Sequence, residues 1–147
     1  MDQLTHQFPE QPRPPLILVV DDDNGMRLLL CTILKKEGYT VAEAEDGAQA
    51  LSTFERLHPD LVLLDAMMPL MDGFATCAAL RKMAGGSHIP ILMVTALTDA
   101  KAVNRAFKAG ATDYIIKPVH STVLRHRISH LLRSKQAKDM LGQVEQK

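Results

Sequence analysis

Leu16-Ile17-Leu18-Val19-Val20 is an unbroken apolar run, and Asp21-Asp22-Asp23 ends it with three carboxylates in a row. A short continuous apolar run is the pattern of a strand covered on both faces; a strand with one wet face would alternate. The residues downstream agree. Met26, Leu29, Leu30, Ile33 and Leu34 recur at helical spacing, and Gly38 closes that helix. Thr40 to Ala44 reads as a second strand, and its mixed polarity suits a sheet edge. Gly47 to His58 reads as a helix with Ala48, Leu51 and Phe54 on one stripe. Leu61-Val62-Leu63-Leu64 is again fully apolar and is ended by Asp65. Asp72 to Met83 is helical, Gly85-Gly86-Ser87 is a loop, and Ile91-Leu92-Met93-Val94 is a strand ended by Thr95. Asp99 to Lys108 forms a helix closed by Gly110, and Asp113 to Ile116 a strand ended by Lys117-Pro118. A last helix starts near Ser121 and runs at least to Arg133.

Strands alternating with helices predict an α/β protein with a parallel sheet and helices on both faces. Right-handed crossovers and double winding leave few topologies, and the order 2-1-3-4-5 puts the polar second strand at an edge. Such sheets bind ligands beyond the carboxyl ends of their strands, near the point where strand order reverses. Here those ends carry Asp21 and Asp22, Asp65, Thr95 and Lys117, from four separate segments. The convergence has a chemical consequence. Three ionised carboxylates in one crevice repel one another, and a hard divalent cation such as Mg²⁺ relieves that repulsion. Three aspartates, one Mg²⁺ and the Lys117 ammonium balance to zero. A neutral pocket of this kind can accept a phosphoryl group, with Asp65 as a carboxylate nucleophile that forms an acyl phosphate. Lys117 and the metal would stabilise the equatorial oxygens, and the Thr95 hydroxyl could hydrogen-bond one of them.

The chain has 147 residues, 46% of them hydrophobic, which suits one domain with short tails. The expected division is a polar, proline-rich disordered leader over 1–15, the domain over 16–133, and a helical tail or linker over 134–147. Lys+Arg and Asp+Glu both total 17, so the chain lacks the basic excess of proteins that coat nucleic acid. No direct nucleic-acid contact is expected of it. Cys31 and Cys77 lie in apolar stretches and read as reduced core thiols of a cytoplasmic protein. No apolar run is long enough for a membrane span, and the start has no signal-peptide core.

Four segments together carry a family resemblance: Ile17 to Asp23, Leu64-Asp65-Ala66-Met67-Met68-Pro69-Leu70-Met71-Asp72-Gly73, Val94-Thr95-Ala96, and Gly110 to Pro118. In this order, over about Leu16 to Arg133, they resemble the receiver domain of two-component response regulators. The resemblance implies a flavodoxin-like (βα)5 three-layer sandwich in a regulatory domain, which catalyses only its own phosphorylation and dephosphorylation. Asp65 matches the phospho-acceptor, and Asp21, Asp22, Asp65 and the Met67 carbonyl match the Mg²⁺ ligands. Lys117 matches the lysine that bonds the phosphoryl group. Thr95 and Tyr114 match the switch pair, which acts on the face made by helix four, strand five and helix five. Lys117-Pro118 matches a peptide that is usually cis. The implied donor is a phosphohistidine on a sensor histidine kinase or a phosphotransfer protein. Met67 and Leu97 match positions that flank the path of the attacking water. Both are apolar here, which implies slow hydrolysis.

Blander readings apply to other residues. Asp23 or Asn24 reads as a helix cap, and Asp72-Gly73 as a turn and cap only. His126 and His130 are one helical turn apart but have no evident third ligand. Ala137, Leu141 and Val144 are spaced like a short coiled-coil stripe, weakened by Gly142. The stretch from His120 to Leu141 resembles the exit of receivers joined to cyclic-di-GMP signalling domains, of the diguanylate cyclase or phosphodiesterase type. A homodimer through the switch face or the tail fits the same pattern. The competing function is a protein-binding module of the same fold that does not switch, and the intact acidic set argues against it.

Overall fold

The computed structural model describes residues 13–145, with side chains through Leu141. Of the expected leader, only Arg13, Pro14 and Pro15 fall among them. Strands β1 (Leu16–Val20), β2 (Thr40–Ala44), β3 (Leu61–Leu64), β4 (Ile91–Thr95) and β5 (Asp113–Ile116) alternate with helices α1 (Asn24–Lys36), α2 (Gly47–Leu57), α3 (Gly73–Lys82), α4 (Ala100–Ala109) and α5 (Ser121–Glu145). Neighbouring strands are all parallel, in the order β2-β1-β3-β4-β5. The doubly wound, flavodoxin-like sandwich read from the sequence is the observed fold.

The apolar runs are explained by what covers each face. Side chains alternate across a strand. Leu18, Val20, Val62, Leu64, Ile91 and Met93 pack against α2, α3 and α4 through Phe54, Cys77, Leu80 and Ala106. Ile17, Val19, Leu61, Leu63, Leu92 and Val94 pack on the other side against Leu30 and Leu34 of α1 and Leu124, Ile128 and Leu131 of α5. Neither set of faces meets water, so neither can be polar. Cys31 and Cys77 are buried, free thiols.

Aspartates start four of the five helices. Asp23, Asp46, Asp72 and Asp99 each accept a backbone N–H of the first turn. Asp72 and Asp99 are therefore caps, and α3 and α4 begin one residue later than expected. Gly110 ends α4 at φ 109°, in the left-handed region that only glycine enters cheaply. The last helix, α5, expected to run at least to Arg133, continues without a break through Glu145. No proline interrupts this stretch, and Lys135 pairs with Asp139 one turn on at 2.8 Å. Ala137 and Leu141 of the apolar stripe are exposed, and Val144 lies outside the described side chains.

The amino edge of the sheet is closed by Arg81 of α3. Its Nε and Nη2 donate to the Gly110 carbonyl at 2.9 and 2.6 Å. Its Nη1 donates to the carbonyls of Gly86 and Ile89, and its Nη2 also donates to Thr112 Oγ1. Thr112 Oγ1 in turn accepts from the Ile91 N–H at 2.9 Å. One guanidinium thus fastens the entries of β4 and β5, the two strands that carry Thr95 and Lys117 at their far ends.

Candidate functional site

The sheet ladder itself delivers the acidic residues. One step past β1, the Asp21 N–H donates to the Ala44 carbonyl at 3.2 Å. One step past β3, the Asp65 N–H donates to the Val20 carbonyl at 3.0 Å. Thr95 ends β4, and the Lys117 N–H donates to the Thr95 carbonyl at 2.8 Å. Parallel register therefore puts all four residues on one edge. Oxygens from the carboxylates of Asp21, Asp22 and Asp65 lie within 4.8 Å of one another. Asp21 is 1% exposed and Asp65 is also buried, while Asp22 is open to solvent.

Lys117 bridges the buried pair. Its Nζ donates to Asp21 Oδ2 and to Asp65 Oδ2, both at 3.3 Å. The peptide joining it to Pro118 is cis. Backbone donors take the other oxygens: the Asp23 N–H donates to Asp21 Oδ1 at 2.9 Å, and the Met67 N–H to Asp65 Oδ1 at 3.1 Å. Burial raises the Asp21 pKa, Asp65 beside it raises it further, and the Asp23 N–H and Lys117 oppose the rise. For Lys117 burial alone would favour the neutral amine, but Asp65 and Asp21 outweigh it and its pKa is raised. One ammonium among three carboxylates leaves a local deficit of positive charge. An all-oxygen donor set with that deficit fits a hard cation such as Mg²⁺.

Thr95 and Tyr114, the expected switch pair, both bond Leu97. Thr95, wholly buried, accepts from the Leu97 N–H at a long 3.5 Å, and the Tyr114 hydroxyl donates to the Leu97 carbonyl at 2.8 Å. Burial raises the Tyr114 pKa, with Asp99 and Asp65 adding to it, so the hydroxyl keeps its proton. A groove of about 490 Å³ opens beside Asp22, lined in part by Met67, Phe74, Leu97 and Arg105. Arg105 stands 4.4 Å over the Phe74 ring.

Two residues near the site were not legible as such. Gly73 reads as half of a turn, yet a Cβ there would fall 2.1 Å from the Asp65 carbonyl oxygen, so α3 could not approach the site. Arg27 is not singled out by the sequence, yet its Nη1 donates to the Asp21 carbonyl at 2.8 Å. The close approach of α3 was hidden because it depends on tertiary packing. A Gly directly after a helix-capping Asp was its only signal. His126 and His130 are exposed, and among the described residues no third metal-ligating side chain joins them.

Comparison with known proteins extends this picture. The chain is 47% identical over 117 residues to the probable transcriptional regulator ycf27 of Porphyridium aerugineum, covering 80% of this chain and 48% of that protein. It is 44% identical over 117 residues to the DNA-binding response regulator MtrA of Mycolicibacterium paratuberculosis, covering 80% and 51%. The chain thus spans about half the length of these curated relatives. Neither name mentions cyclic-di-GMP, so the expected diguanylate cyclase or phosphodiesterase output gains no support from them. Among solved structures, the receiver domain of the sensor histidine kinase PA1611 from Pseudomonas aeruginosa PAO1 matches at TM-score 0.76 and 28% identity, covering 81% of this chain and 98% of that one. That structure is described with a magnesium ion coordinated in the active site cleft. Among the described residues of the present chain, no helix is long and apolar enough to cross a membrane. The family model described as the response regulator receiver domain matches residues 17–129, and the chain belongs to that family.

Proposed function

We propose that the domain receives a phosphoryl group on Asp65 and relays the change through Thr95 and Tyr114. The observation that carries this reading is the meeting of Asp21, Asp22 and Asp65 within 4.8 Å, with Lys117 bonded to the two buried members. Mg²⁺, held by Asp21, Asp22, Asp65 and the Met67 carbonyl, would supply charge neutralisation at the phosphoryl oxygens. Asp65 would attack phosphorus through a carboxylate oxygen. The new P–O bond forms as the P–N bond of a phosphohistidine breaks, and the departing imidazole nitrogen keeps the electron pair. Lys117, already 3.3 Å from Asp65, would follow the new negative charge.

The relay follows from the shared residue, Leu97. A phosphoryl oxygen that accepts from the Thr95 hydroxyl would draw Thr95 toward Asp65 and away from Leu97. Leu97 is also what the Tyr114 hydroxyl holds, so β5 would register the change. The donor would be a sensor histidine kinase or phosphotransfer protein, and the two relatives favour control of transcription as the output. Met67 and Leu97 border the groove at the site, and their apolar side chains would orient an attacking water poorly.

Incubation with acetyl phosphate and Mg²⁺ tests the reading. Intact-protein mass spectrometry should show one added phosphoryl group, absent from Asp65→Ala and absent when Mg²⁺ is chelated. A wild-type protein that takes up nothing would reject it. Once loaded, the wild type should lose the group more slowly than a variant with polar residues at Met67 and Leu97.

A further inference from the structure

We infer that Arg27 is a positioning residue for the Mg²⁺ site: its guanidinium fixes the Asp21–Asp22 peptide so that both carboxylates stay turned into the cluster. The inference rests on the Mg²⁺-binding reading above. Arg27 lies in the first turns of α1, and its side chain is only 14% exposed. Its three nitrogens take three different acceptors. Nη1 donates to the Asp21 carbonyl at 2.8 Å, Nη2 to Asn24 Oδ1 at 2.7 Å, and Nε to Glu43 Oε1 at 3.1 Å.

The Asp21 carbonyl belongs to the peptide that joins Asp21 to Asp22, so holding it sets the direction in which Asp22 leaves the chain. The Asp21 N–H is held on its other side by the Ala44 carbonyl at 3.2 Å. Asp21 is thus pinned at both of its peptide groups, and the exposed Asp22 follows from that. Asp22 has no comparable restraint of its own, since it is open to solvent beyond the end of β1.

The choice of acceptor carries the inference. Arg27 brings a cation to the Asp21–Asp22 peptide but, among the described residues, bonds no carboxylate oxygen of Asp21, Asp22 or Asp65. Those oxygens stay available to a metal. A fork that bonds several acceptors at fixed angles suits Arg and not Lys, whose ammonium is a point charge on a flexible stem. The pair with Glu43 is half exposed on the acidic side and contributes little by itself.

The sign of one measurement separates positioning from plain electrostatics. If Arg27 acted only as a nearby charge, it would compete with Mg²⁺, and its removal would tighten binding. If it positions Asp22, its removal loosens binding. Titration calorimetry with Mg²⁺ on the metal-free protein should give a Kd raised roughly tenfold in Arg27→Ala, the range seen when partners that orient metal ligands are removed. Arg27→Lys should recover only part of the loss. Glu43→Gln, which keeps the acceptor oxygen, should bind like the wild type. An unchanged or tightened Kd in Arg27→Ala would overturn the inference, even if that variant unfolds more easily. If Arg27→Ala does not fold, Arg27→Lys decides alone: wild-type affinity would overturn the inference, and weakened affinity would support it. A wild-type protein with no Mg²⁺ affinity would instead reject the underlying reading.

Discussion

At the carboxyl edge of the sheet, Lys117 sits between two buried carboxylates with a third close by. At the amino edge, Arg81 makes its hydrogen bonds to carbonyls and one hydroxyl, and no carboxylate pairs with it among the described residues. Both are half-buried cations that tie together β-strand ends. They differ in what they leave unfinished. The Arg81 fork meets oxygens on every side and asks for nothing more, so that end of the sheet is a fixed anchor. Lys117 cannot balance three carboxylates, so its end keeps an excess of negative charge. Electrostatic strain is concentrated where function needs it, and the opposite edge supplies the rigidity that holds it.

The comparison can be broken most directly at the anchor. Arg81→Ala should lower the unfolding free energy in urea by about 3 kcal/mol, because it strands several carbonyls that accepted from a charged donor. Mg²⁺ affinity of the folded variant should stay within about twofold of the wild type if the edges are as separate as they look. A loss of stability below about 1 kcal/mol would mean that water satisfies those carbonyls and that the anchor is dispensable.

The opposite sign is expected at the other edge. Asp21→Asn should make the metal-free protein more stable by about 1 kcal/mol, since it removes a buried charge that its neighbours only partly compensate. Mg²⁺ should then no longer raise the melting temperature. The pH dependence carries the same information. A carboxylate whose folded pKa is raised binds its proton more tightly in the folded state than in the unfolded one. Its stabilising contribution is complete below the ordinary carboxylate range and is lost as pH rises through the raised value. That component should vanish from the urea-derived stability profile of Asp21→Asn, and its persistence would assign it to another group.

A smaller effect should come from the loop that follows β3. Leu70 is fully exposed yet holds φ at 68°, in the left-handed region. His58, the other such residue described, has the edge of its ring against Phe54 with centroids 6.5 Å apart. Leu70→Gly should therefore stabilise the protein by roughly 0.5–1 kcal/mol, measured by thermal unfolding, since it removes backbone strain and loses no packing. A destabilised variant would mean that the leucine side chain has a contact worth more than the strain.

The smallest contrast should be between the two thiols. Burial, with Glu43 adding to it and Lys35 and Arg27 opposing, pushes Cys31 up to about 11. Burial also pushes Cys77 up to about 11 against the pull of Arg81. Both should resist iodoacetamide at pH 8 and react together once urea unfolds the chain, as peptide mapping would show. Because these pKa values are raised, the contribution of each thiol is complete below the ordinary thiol range and fades as pH climbs toward 11. Selective labelling of Cys31 in the native state would show that α1 opens locally.

The three central strands were legible because both of their faces are covered, which leaves an apolar signal at Leu16–Val20, Leu61–Leu64 and Ile91-Leu92-Met93-Val94. The acidic cluster was legible for a related reason. In a parallel sheet every strand presents the same end to one crevice, so residues at strand ends can be gathered before any coordinate is known. The continuation of α5 past Arg133 was less clear, because a polar helix without tertiary partners leaves only a weak periodic trace. Arg81 and Arg27 gave no signal, since Arg81 bonds mostly backbone carbonyls and Arg27 reaches the site through one, and every residue has one.

The sequence by itself determined the element order, the sheet topology and which carboxylates share an edge, because hydrophobic periodicity and strand-end position are local properties that chirality turns into one arrangement. Only the tertiary structure decided that Lys117 bridges Asp21 and Asp65, that Thr95 and Tyr114 meet at Leu97, and that Arg27 and Arg81 clamp opposite edges. Most of those links join residues far apart in the chain, and each rests on one or two hydrogen bonds. Such bonds depend on distances of a few tenths of an ångström, which residue types and spacings do not encode.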